Sequence, residues 1–158
     1  ASDVYKRQIN IPTPFGGTPL YDRCLAEGRI LRSMPFSFYY TPYLVTTLKN
    51  YHPLEYYEKL ADMNSAMTSG TMIANRLFTD APPALRMLHL LRSLAMKKFL
   101  AAFRRIRNML QNDRGFRAFH EGRSAALPDY YRRVYERKLG EYAGFLSQAE
   151  RTPVLETS

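Results

Sequence analysis

The stretch PPALRMLHLLRSLAMKKFLAAFRRIRNMLQNDRG, residues 82–115, decides the fold class. Pro82 and Pro83 fix φ near −65° for a first helical turn, and the 28 residues from Ala84 to Gln111 then run without Gly or Pro. Leu, Ala, Met, Arg and Lys dominate them, which are the strong helix formers. Asn112-Asp113-Arg114-Gly115 supplies the turn that stops the run. In the later half Phe99, Phe103, Ile106, Met109 and Leu110 recur at three and four residues and make one apolar stripe. Seven cations interrupt the apolar residues between Leu85 and Leu110, so the helix cannot be a membrane span. The chain is therefore expected to be mainly α.

Helical signals continue on both sides. Towards the N-terminus, Pro53 starts a helix whose apolar positions are Leu54, Tyr57, Leu60, Ala61, Met63 and Met67, with Gly70 after its end, and Thr71 to Phe78 adds a turn or two. Towards the C-terminus, Phe116 to Glu121 forms a short helix ended by Gly122. Leu127-Pro128-Asp129 opens a last helix carrying Tyr131, Val134, Tyr135, Leu139, Tyr142, Phe145 and Leu146. Both long stripes must be buried against something. Upstream lies a different texture. Ile30 to Leu48 is rich in aromatic and β-branched residues, is broken by Pro35 and Pro42, and reads as extended or irregular with one short strand around Tyr43 to Leu48.

The 158 residues carry 23 Lys and Arg against 14 Asp and Glu, a net charge of +9. Length fits one domain with a real core rather than a disordered chain. From Ile9 to Pro83 there are six basic and six acidic residues, and from Ala84 onward fifteen and seven, so the excess charge lies in the second half. One cysteine, Cys24, excludes an internal disulfide, a Cys-only zinc site and a complete Cys-ligated iron–sulfur site within this sequence. A reducing, cytoplasmic setting suits it.

The segment Ile9-Asn10-Ile11-Pro12-Thr13-Pro14-Phe15-Gly16-Gly17-Thr18-Pro19-Leu20-Tyr21 carries most of the chemical information. A short β-type run, Ile9 to Pro12, enters a Pro and Gly turn. Thr18 then serves as N-cap, Pro19 as first helical residue and Gly28 as left-handed C-terminal cap, with Leu20, Tyr21, Cys24 and Leu25 on one face. At Gly16 and Gly17 no Cβ blocks a ligand from the backbone, and free amides at a helix start favour an anion or a polar group. Together with Leu25-Ala26-Glu27-Gly28-Arg29-Ile30-Leu31, the segment resembles, over about 25 residues, the late-barrel segment of radical S-adenosylmethionine enzymes. The likeness is to the cobalamin-binding-domain and methylthiotransferase-like branches, where a strand ends in a Thr-Pro-Phe-Pro-Gly-Thr-Pro-Leu-Tyr type of turn before a helix closing in Glu-Gly-Arg. Gly16 stands where that pattern has Pro.

The resemblance implies a C-terminal part of such an enzyme: a short β-α remnant of a partial (β/α) barrel followed by a helical C-terminal region. It makes Ile11, Pro12, Thr13, Gly16 and Gly17 wall residues for S-adenosylmethionine. The cofactors it implies are S-adenosylmethionine and a 4Fe-4S cluster, with cobalamin as a further one in that branch. The Cys-x3-Cys-x2-Cys cluster motif has no counterpart here and is expected upstream, in the missing N-terminal barrel that would be this chain's first partner. Asp3-Val4-Tyr5-Lys6-Arg7-Gln8 resembles a translated transposase adapter of shotgun sequencing libraries. The expected layout is therefore an adapter-derived scar at 1–8, the last barrel strand and helix at 9–31, an aromatic linker at 32–52, the helical region at 53–151 and a frayed tail at 152–158. Alone, such a chain would be catalytically incomplete.

Other candidates carry a blander expectation. Cys24 reads as a buried structural thiol, and His52, His89 and His120 stand at no metal-ligand spacing. Glu55 and Glu58 read as a solvated helix face. Phe36-Ser37-Phe38-Tyr39-Tyr40-Thr41-Pro42-Tyr43 suits either a substrate cavity or core packing, with packing preferred. Arg86, Lys97, Lys98, Arg104 and Arg105 share about a third of the long helix's circumference at roughly 100° per residue, and Arg132, Arg133, Arg137 and Lys138 form a second cluster. These basic helices give the alternative function: a free-standing module binding RNA or an anionic membrane surface.

Overall fold

The computed structural model describes residues 11–78 and 82–151. The expected scar at 1–8, Ile9 and Asn10 of the expected strand, and the expected frayed tail at 152–158 lie outside the described residues. The chain divides into two compact units, Asn50–Arg117 and the residues before and after it. Among the described residues the secondary structure is helical, and the one β pairing is an isolated antiparallel bridge, Ile30 with Thr46. Among the described residues no helix is long and apolar enough to cross a membrane.

In the unit 50–117, α2 spans Pro53–Met67, α3 Gly70–Leu77 and α4 Pro83–Asn112. His52 caps α2 with its own imidazole, whose Nδ1 accepts the Leu54 N–H at 3.3 Å. Ser69 caps α3 through the Met72 N–H. Gly70 therefore does more than follow α2, since it is the first residue of α3. The α4 stripe is covered by α2 and α3: Leu100, Phe103, Ile106 and Leu110 are buried, and the Phe103 ring lies 6.2 Å from that of Tyr57 in α2. Phe99, expected in the stripe, is 36 % exposed, and Leu100 takes its place. At its end α4 is held by Arg117, whose Nε donates to the Leu110 carbonyl at 2.6 Å, satisfying one of the acceptors a helix leaves open there. Asp113 turns the chain and accepts the Phe116 N–H at 3.0 Å, so the expected turn doubles as the cap of α5, Arg114–His120.

The other unit contains α1, Pro19–Ala26, the irregular link 27–52 up to Lys49, and the chain from Ala118 with α6, Asp129–Leu139, and a last short turn α7, Gln148–Arg151. The helix expected to run on to Leu146 stops at Leu139. Gly140 takes φ 49° and ψ −129°, which breaks the helical phase, and 140–145 is wound as 3-10 turns. Tyr142 and Phe145 consequently stand 65 % and 82 % exposed instead of extending the stripe. The core here is aromatic: Phe38, Phe119 and Tyr131 are buried, and the Tyr131 ring centroid lies 5.0 Å from that of Phe38 and 5.8 Å from that of Tyr43. The strand expected around Tyr43 to Leu48 is reduced to Thr46, where the Leu31 N–H donates to Val45 and the Thr47 N–H to Arg29.

Candidate functional site

The segment 11–31 folds from its own local rules. Phe15 to Thr18 is a tight turn, closed by the Thr18 N–H on the Phe15 carbonyl at 3.1 Å, with Gly17 at φ 77° in the position that needs the left-handed region. The Thr18 hydroxyl donates to the Phe15 carbonyl at 2.6 Å and accepts the Tyr21 N–H, so one side chain fixes both the turn and the start of α1. Gly28, at φ 64°, ends α1: its N–H reaches the Leu25 carbonyl and the Arg29 N–H the Cys24 carbonyl.

The five expected wall residues differ in exposure. Ile11 is buried, its N–H donating to Thr41 Oγ1 at 3.4 Å, and it takes part in no strand or bridge among the described residues. Pro12 is exposed, and Thr13 is half-buried with its hydroxyl donating to the Ile11 carbonyl. Gly16 and Gly17 are exposed, and a Cβ at either would meet nothing within 4 Å. The anion-binding character expected of the α1 start is reduced, because Pro19 has no N–H and the Tyr21 N–H is already taken by Thr18.

Around this segment the unit is tied by polar contacts. Glu27 receives Lys49 and Arg29, and their hydrogen bonds hold its carboxyl below the usual carboxylate range. Arg29 also donates to the Cys24 Sγ at 3.4 Å and to the Thr47 carbonyl, so the buried Cys24 has a structural role. Lys138 of α6 donates to the Ser37 carbonyl at 3.1 Å and to the Tyr40 hydroxyl at 2.8 Å, with its ammonium 4.8 Å from the Phe38 ring centre and 4.7 Å from that of Tyr40. The 36–43 stretch thus serves as core and as a mount for α6, which agrees with packing. Burial raises the Tyr39 hydroxyl well above its ordinary range, with Tyr21 adding to the effect, and that hydroxyl has no hydrogen-bond partner among the described residues.

The sequence places His120 only near a turn. It is fully enclosed, its Nε2 2.9 Å from the Tyr131 hydroxyl, and burial drops its pKa to about 3. His52 is a helix cap and Glu55 pairs with Lys59 at 2.7 Å on an exposed face. Among the described residues no group of His, Cys, Asp and Glu could hold a metal ion. Compared with known proteins, the chain matches no family model, no curated protein and no solved structure.

Proposed function

We propose that this chain is the C-terminal part of a radical S-adenosylmethionine enzyme of the reducing cytoplasm, a β-α remnant of its barrel followed by a helical region that supports the barrel. The observation that carries the reading is the Pro14 to Gly28 connection. The two glycines stand open to solvent beside a turn that needs one of them left-handed, and Thr18, Pro19 and Gly28 fill the capping roles that the quoted pattern provides. Such a backbone fits one wall of a ligand pocket, with Gly16 and Gly17 approachable without a Cβ. The cluster is another matter, since a chain with one cysteine cannot supply three thiolates. When bound, cluster and S-adenosylmethionine would supply the radical chemistry, cobalamin being the further group of the resembled branch, while the residues here orient and enclose.

Two measurements test this. The gene upstream should encode, in the same frame, a Cys-x3-Cys-x2-Cys motif; a natural start near Ile9, or an upstream frame without the motif, overturns the reading. In the enzyme so recovered, Gly16→Leu should weaken S-adenosylmethionine binding at least tenfold in equilibrium dialysis, because the added side chain projects into space now open. Unchanged binding would remove Gly16 from the wall.

A further inference from the structure

One side of α4 is buried and another stands in solvent. Ser93 and Leu100 are buried on one side. On the opposite side Met87, Leu88, Leu91 and Leu94 lie within about 120° of arc at 100° per residue, and Met87 and Leu91 are 57 % and 56 % exposed. Exposed Arg92 and Lys97 flank this strip and exposed Lys98 closes its C-terminal end. From Pro83 to Asn112 there are seven cations and no acidic residue.

From this charge complementarity we propose that the exposed face of α4 is a docking surface for an anionic lipid bilayer, the helix lying in the interface with its aliphatic strip among the acyl chains and Arg92, Lys97 and Lys98 at the headgroups. Amphipathic helices that lie on membranes combine such a strip with cationic borders whose stems snorkel upward. A second copy is a poorer occupant, because it would set these cations against their own kind with no carboxylate on the helix to offset them. RNA is poorer as well: bases stack on aromatic rings, and the strip is wholly aliphatic. The surface is independent of the Gly16–Gly17 wall, so the proposal does not rest on the enzyme reading.

The test is co-sedimentation of the full chain with vesicles of phosphatidylcholine alone or with about a third phosphatidylglycerol, at low and high salt. Anionic vesicles should bind the chain at least tenfold more tightly than neutral ones, and salt should weaken the difference. Leu88→Ser with Leu91→Ser should lower anionic binding at least tenfold with helix content unchanged by circular dichroism. Arg92→Glu with Lys97→Glu and Lys98→Glu should abolish the anionic preference. Phe145→Ser, an exposed apolar residue elsewhere, should bind like the parent. The proposal is overturned by equal or absent binding to the two vesicle types, or by leucine variants that bind as well as the parent. A dimer in sedimentation equilibrium that the leucine variants dissolve, or RNA capture that they abolish, would overturn it in favour of those occupants.

Discussion

His120 holds an imidazole in a place where it cannot be charged. With its pKa at about 3 in the folded chain and the ordinary value near 6.5 once unfolded, the unfolded state takes up a proton first as pH falls. The stability it contributes is complete above about pH 6.5 and is lost progressively down to about pH 3. Between pH 7 and pH 5 this histidine alone should cost about 2 kcal/mol of unfolding free energy, measured by urea titration, and His120→Gln should flatten that slope. A slope unchanged by the substitution would place the acid sensitivity elsewhere. Glycines separate on similar grounds. Gly28 and Gly122 both have positive φ, but a Cβ at Gly122 would come within 2.9 Å of Thr47 Cγ2, whereas at Gly28 it meets nothing. Thr47 is held by its N–H on Arg29 and by Arg29 on its carbonyl, so it yields poorly. Gly28→Ala should cost about 1 kcal/mol and Gly122→Ala clearly more; equal losses in urea midpoints would mean that Thr47 moves aside.

At the scale of elements, α4 and α2 share one core, and Phe103 sits at its centre against Tyr57. Phe103→Ala should cost about 3 to 5 kcal/mol, and hydrogen exchange should speed up in α2 as well as α4, since both lose the same contact. Arg104→Glu, at an exposed position whose guanidinium reaches Ser65 Oγ at 3.5 Å, should change stability by less than about 0.5 kcal/mol. A large loss for Arg104→Glu would show that the basic side is structural. The sequence located α4 to within a residue at each end because its signals are local: prolines before it, a turn after it and an uninterrupted run of helix formers between. Its buried face was less legible. Phe99 and Leu100 are both apolar, and only the position of α2 and α3 selects Leu100.

For the whole molecule, the sequence by itself determined the helical class, the starts of α1, α2, α4 and α6, and the glycine stops at 28 and 122, because caps, prolines and left-handed glycines act within a few residues. It also set the open turn at Gly16 and Gly17, the part of the candidate site that depends on backbone chemistry alone. Only the tertiary structure decided what lies across long sequence separations. It turned the aromatic link into the seat of α6, with Lys138 reaching Ser37 and Tyr40, and it buried His120 against Tyr131. It reduced an expected strand to the single Ile30–Thr46 bridge, since a ladder needs a partner that no local signal specifies. It also left Met87, Leu88, Leu91 and Leu94 of α4 in solvent. Periodicity records that a face is apolar, whereas which face is covered depends on where the rest of the chain comes to lie.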